Sequence, residues 1–220
     1  MMMAVLADGM GGHSGGALAA EQVLIKARQN FESYAPGSDT PQSMLAGIVS
    51  EAHVVIRLTR FTSEKDPHST AVVLLLQPGR VDWVHCGDSR LYHFRGEQTI
   101  NRSLDHSLVG ELQRKGKLDE VAALNHPQRN VLLSCLGSDR EPKMDFGHVA
   151  PLVAGDSFLL CSDGLWAYFS DLELARTISG HPAREAASIL IRQARLRAEG
   201  GGDNISLSII KLVEAAPNRN

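Results

Sequence analysis

Residues 70–94 read TAVVLLLQPGRVDWVHCGDSRLYHF. Three short β-rich runs, Thr70–Leu76, Val81–Cys86 and Leu91–Phe94, are separated by Pro78-Gly79 and Gly87-Asp88. Pro presets φ and Gly accepts positive φ, so these pairs are turn chemistry and the runs read as meandering antiparallel strands. Further strands are expected at Val131–Leu136, Asp145–Val149, Ser157–Cys161 and Ile205–Leu212. On the N-terminal side, Ala17, Ala20, Leu24, Ala27 and Phe31 repeat every three or four residues, predicting one buried helix face. Pro36-Gly37-Ser38-Asp39 ends that helix. Thr40-Pro41 starts another as N-cap and N1, with Leu45, Ile48, Val49, Ala52 and Ile56 as its buried stripe. Helices are also expected at about 108–115, 118–124, 172–178 and 183–197. Strands and helices come in blocks rather than in strict alternation, which favours an α+β fold over a doubly wound parallel sheet.

The 220 residues are 43% hydrophobic and 21% charged, enough to fill a sizeable core in one domain. That domain is expected to span residues 1–214, followed by a short polar tail at 215–220. Lys plus Arg is 22 and Asp plus Glu is 25, so the net charge of −3 gives no general pull toward nucleic acid or anionic lipid. Apolar runs such as Ala71–Leu76 are far too short to cross a bilayer, so no membrane partner is expected. Cys86, Cys135 and Cys161 are odd in number, lie in apolar surroundings and form no CxxC pair. They read as buried thiols of a cytoplasmic protein.

A chemical signal recurs at strand ends. Val5-Leu6-Ala7-Asp8-Gly9, Leu159-Leu160-Cys161-Ser162-Asp163-Gly164 and Gly201-Gly202-Asp203-Asn204 each set an Asp beside a strand run and next to Gly or Asn. Singly, Asp-Gly is ordinary turn chemistry. Together, antiparallel strands can gather Asp8, Asp163 and Asp203 at one sheet end. Two carboxylates about 4 Å apart repel by roughly 4 kcal/mol at an effective dielectric near 20. Such a cluster needs a proton or a cation, and an all-oxygen set suits Mg²⁺ or Mn²⁺. The run Asp8–Gly16 fails as a nucleotide loop: it lacks the Gly-Lys-Ser/Thr ending, and Ser14 stands where GxGxxG needs its third glycine.

Asp8-Gly9-Met10-Gly11-Gly12-His13 resembles the signature of the metal-dependent protein phosphatases of type 2C in their bacterial form. The resemblance continues in order through Ser69-Thr70-Ala71, Cys86-Gly87-Asp88-Ser89-Arg90, Asp105-His106-Ser107, Cys135-Leu136-Gly137, Asp163-Gly164-Leu165-Trp166 and Gly202-Asp203-Asn204-Ile205. It implies an antiparallel β-sandwich with helices on both faces, in four layers α-β-β-α. It also implies two Mn²⁺ or Mg²⁺ ions held by Asp8, the Gly9 carbonyl, Asp163 and Asp203, with Asp66 as a ligand of a third, weaker ion shared with Asp163. A metal-bridged water would hydrolyse phosphoserine or phosphothreonine in protein substrates, opposing a serine/threonine kinase, in a monomer. Family members carry an Arg for the substrate phosphate and an acidic element ahead of the first metal motif, and neither is in this sequence. A phosphatase-like binding or regulatory module is therefore the alternative. His13 and His68 read as loop residues, and Asp88 and Asp105 as structural turn residues.

Overall fold

The computed structural model describes residues 1–59 and 66–213, without the side chains of His13 and Ser14. Strands β1 (Met2–Leu6) and β2 (Gly9–Met10) lead into helices α1 (His13–Ser33) and α2 (Pro41–Thr59). Strands β3 (His68–Ser69), β4 (Ala71–Gln77), β5 (Arg80–Cys86), β6 (Arg90–Arg95) and β7 (Gln98–Arg102) follow, then α3 (Leu108–Arg114) and α4 (Glu120–Leu124). The chain continues through β8 (Asp145–Val149), β9 (Asp156–Cys161), α5 (Asp163–Trp166), α6 (Asp171–Gly180), α7 (Ala183–Arg197) and β10 (Leu207–Lys211).

Two antiparallel four-stranded sheets, β1-β4-β5-β8 and β10-β9-β6-β7, pack face to face. Alternation along β4 assigns one side chain set to each face. Val72 and Leu74 join Leu6, Trp83, Leu91, Phe158 and Leu160 between the sheets, while Val73 and Leu75 turn outward to α1 and α2. Tyr92, Leu159 and Cys161 of the second sheet meet α6 and α7 in the same way. This is the four-layer α-β-β-α sandwich. Local chemistry agrees with it: Ser107 and Asp119 cap α3 and α4, and Ser170 with Glu173 forms a capping box on α6.

Two expectations are corrected, and one strand is added. Val131–Leu136 forms no strand, only isolated bridges of Leu132 to Ser107 and of Leu136 to Ser69. Val131 and Leu133 point to solvent, so this backbone stitches loops instead of filling a core. The inner face of α1 is Ala19, Val23 and Ala27, whereas Leu24 is 49% exposed. The cause is close backbone approach: a Cβ on Gly16 would meet the Gly9 carbonyl oxygen at 2.5 Å, which turns the small-residue side of α1 inward. Strand β7 is polar and exposed, so periodicity gave no sign of it; the turn at Gly96, φ 58°, folds it back on β6. The expected tail, 215–220, lies outside the described residues.

Cutting Leu160 to Ala should destabilise the protein by about 2–5 kcal/mol, because its fully buried side chain sits between the sheets. Leu172→Ala, at a residue 48% exposed, should stay within about 0.5 kcal/mol. Urea unfolding of the two variants checks the layer assignment, and equal losses would refute it.

Candidate active site

Strand direction gathers the acids. Asp8 and Asp88 follow β1 and β5, which run the same way because each is antiparallel to β4. Asp163 follows β9, and Asp203 precedes its antiparallel partner β10. All four therefore emerge at one end of the sandwich.

Their turns are tied together by backbone and hydroxyl groups. Thr70 accepts the Asp8 N–H at Oγ1 (3.0 Å) and donates its own N–H to the Asp8 carbonyl (2.9 Å). The Thr70 and Ser89 hydroxyls are bonded at 2.7 Å, which reaches the neighbour of Asp88. Ser162 Oγ donates to the Asn204 carbonyl (3.2 Å) and accepts the Ser206 N–H (3.1 Å), joining the turns of Asp163 and Asp203. Glycine is required at this junction, since a Cβ on Gly164 would stand 2.2 Å from the Asn204 carbonyl oxygen. A Cβ on Gly9 would likewise strike the Gly16 carbonyl oxygen at 1.9 Å.

The electrostatics register the crowding. Burial, then the fields of Asp163 and Asp203, push the Asp8 carboxyl up to about 6. Burial and then Asp203 raise Asp163 as well. Asp163 Oδ1 is buried with no hydrogen-bond partner among the described residues. Asp88, read from the sequence as structural, belongs to the same group: burial, then Asp163, Asp105 and Asp8, push it up to about 7. Asp105 does keep a structural part, taking Arg90 Nε and Nη2 on its two oxygens at 2.8 Å each. Asp66 is exposed and lies 3.1 Å from His68 Nε2. Its backbone lies against Gly11, whose Cβ would meet the Asp66 carbonyl oxygen at 2.1 Å. The side chain of His13 lies outside the described residues.

Asp88, Asp163 and Asp203 line a cleft of about 530 Å³, with Arg129 and Trp166 in the same wall. Arg129 was not singled out in the sequence, where Pro127-Gln128-Arg129-Asn130 is an unremarkable loop. Here its positive charge lowers the Asp163 carboxyl against the other influences. A cavity of about 580 Å³ at the other end of the sheets gathers no such acids: Asp39 accepts the Ala35 N–H and Asp82 pairs with Arg80.

One ligand atom each from His85, His106 and Asp145 lie within 4.8 Å of one another. Hydrogen-bond direction argues against a cation there. His106 Nδ1 accepts the Gly87 N–H (3.2 Å), so its Nε2 carries the proton and donates to Asp145 (3.0 Å). Neither nitrogen keeps a free lone pair, and the cluster serves to brace the residue before Asp88.

Comparison with known proteins agrees with this fold and site. Residues 1–185 match the model of the family described as Protein phosphatase 2C. Protein phosphatase PhpP of Streptococcus pneumoniae serotype 2 is 31% identical over 215 residues, 96% of this chain and 86% of that protein. The crystal structure of the Mycobacterium tuberculosis serine/threonine phosphatase PstP/Ppp superposes with a TM-score of 0.82 at 29% identity, covering 96% of this chain and 88% of that one. A structure of the PstP catalytic domain in complex with two manganese ions superposes with a TM-score of 0.80 at 27% identity, over 96% of this chain and 88% of that one. The chain belongs to the protein phosphatase 2C family.

A proton affinity raised in the folded state has a definite consequence. Between about pH 4 and 7 the folded protein retains a proton on Asp88 that the unfolded chain has released, so this group lowers stability as pH rises through that window. His106, held down to about 4 by burial and then by His85, acts in the opposite direction over part of the same range. The difference between variant and wild type isolates the Asp88 contribution. Without divalent cations, the melting temperature of Asp88→Asn minus that of wild type should grow steadily from about pH 4 to pH 7. A difference independent of pH would show that Asp88 does not feel the cluster.

Proposed function

We propose that this chain is a cation-dependent phosphatase that removes phosphate from phosphoserine and phosphothreonine in proteins. The observation carrying this reading is the convergence of Asp8, Asp88, Asp163 and Asp203 on one end of the sandwich, with a buried, unpartnered oxygen on Asp163. An all-oxygen set, with proton affinities raised at Asp8, Asp88 and Asp163, suits a hard divalent cation, Mn²⁺ or Mg²⁺. The manganese ions in the PstP structure support the same reading. Asp8, the Gly9 carbonyl, Asp163 and Asp203 would hold two ions. For a third, the mutual field of Asp88 and Asp163 favours Asp88 over Asp66, which is exposed and engaged with His68. Divalent cations held by these residues would neutralise the carboxylates and supply the Lewis acidity that makes water a nucleophile near neutral pH.

The residues of this chain supply the rest. Thr70, Ser89 and Ser162 hold the acid-bearing turns at fixed spacing, so the site is organised before substrate arrives. Arg90 is occupied by Asp105 and Tyr92 and is not free for substrate. Arg129 is the cleft cation we assign to the substrate phosphate. It donates Nη1 to the Leu124 carbonyl (2.8 Å) and has no carboxylate within salt-bridge distance among the described residues. The guanidinium therefore keeps donors for an incoming anion. The substrates are phosphoproteins produced by a serine/threonine kinase, and the enzyme acts on them as a cytoplasmic monomer.

Mn²⁺ at about one hundred times its dissociation constant should stabilise the folded chain by about 2.7 kcal/mol per site, read as a rise in melting temperature. Asp8→Asn and Asp163→Asn should abolish that rise and nearly all hydrolysis of a phosphothreonine peptide. Arg129→Ala should leave the rise intact while kcat/KM falls about 10- to 100-fold, the worth of one charge-assisted contact. Full turnover after exhaustive chelation would overturn the reading. Cation binding with no turnover on any phosphopeptide would assign the chain to a binding module instead.

A further inference from the structure

Trp166 occupies the last position of α5, one helical turn beyond Asp163. Its indole Nε1 donates to the Asp88 carbonyl at 2.9 Å. The indole N–H is a donor only, so this bond is its one means of satisfaction. The guanidinium of Arg90 lies over the same ring, with Cζ 3.5 Å from the centroid. Arg90 is itself fixed by its two bonds to Asp105 and by Nη1 to the Tyr92 hydroxyl (3.1 Å). One side chain thus reaches from the turn after β9 to the β5–β6 turn, beyond the point where the β6–β9 ladder pairs Arg90 with Cys161.

We infer that Trp166, backed by Arg90, is a positioning residue that clamps the Asp88 turn against the Asp163 turn and sets the spacing at which the pair grips a cation. This rests on the cation-dependent reading of the site. The two carboxylates repel; the β6–β9 ladder holds Arg90 opposite Cys161, two residues from each, and the Trp166 bond adds a neutral hold on Asp88 itself. Hydroxyl bonds secure Asp8 to Thr70 and Asn204 to Ser162, and Thr70 reaches Ser89, but neither Thr70 nor Ser162 bonds across from the Asp88 turn to the Asp163 turn. Trp166 does. A donor placed on the Asp88 carbonyl also leaves the carboxyl free to face the cleft. Trp166 is half-buried and also packs against the core of the second sheet, so a variant that keeps a ring is needed to separate its bond from its packing.

The test uses Trp166→Phe, which keeps a ring for Arg90 and removes the N–H. Calorimetric titration of cation-free protein with Mn²⁺ should show the weakest site loosened on the order of fivefold, the loss of one neutral hydrogen bond. The Mn²⁺ concentration for half-maximal activity should rise by the same factor. The deficit in turnover should be larger at limiting Mn²⁺ than at saturating Mn²⁺, because the defect lies in cation affinity. In an Asp88→Asn background the same substitution should have no further effect on Mn²⁺ binding, because the residue acts through Asp88. Trp166→Tyr, a second ring without the indole donor, should repeat the loss and serves if the Phe variant folds poorly. Wild-type Mn²⁺ isotherms for both variants, or an equal loss with and without Asp88, would overturn the inference while leaving the phosphatase reading intact. A wild-type chain that binds no Mn²⁺ would overturn both.

Discussion

Repulsion among four carboxylates at one end of the sandwich is the constraint on which the rest of this structure depends. Two like charges about 4 Å apart repel by roughly 4 kcal/mol at an effective dielectric near 20, and burial removes water that would screen them. Burial first and then these mutual fields raise the proton affinities of Asp8, Asp88 and Asp163. A chain optimised only for stability would separate these groups. Instead the fold drives four strand ends together and holds them with neutral donors and acceptors, which add no charge of their own.

The sandwich supplies the leverage for this. Phe158, Leu160, Val72, Leu74 and Leu91 are fully buried between the sheets, so the frames carrying the acid turns cannot slide relative to one another without opening the core. Antiparallel pairing then fixes which strand ends lie together. Bonds from Thr70, Ser162 and Trp166 convert that coarse arrangement into a defined site. Glycines at positions 9, 16 and 164 allow backbones to pass at distances a side chain would forbid.

Two clusters that resemble functional sites illustrate how hydrogen-bond direction separates chemistry from architecture. His85, His106 and Asp145 have the composition and proximity of a metal centre, yet the proton positions required by Gly87 and Asp145 leave His106 no lone pair for a cation. The carboxylate cluster has the opposite character: it holds an acceptor with no donor, which a cation can satisfy. The imidazoles brace the turn, and the carboxylates face the cleft.

The sequence by itself determined the strand meander of residues 70–94, the stripe of α2 and the Asp-Gly motifs, because periodicity and turn chemistry act over a few residues. The ordered series of motifs also located Asp8, Asp163 and Asp203. The inward face of α1, the polar strand β7 and the loop nature of residues 131–136 were decided only by tertiary structure, where close packing and hairpin pairing override local pattern. The same holds for Asp88, Arg129 and Trp166. An Asp in a Gly-Asp-Ser turn, an Arg in a polar loop and a Trp beside a short helix carry no local signature of a shared cleft. Their convergence comes from the folding of two sheets onto each other, and charge–charge and donor–acceptor relations across that gap have no counterpart in sequence spacing.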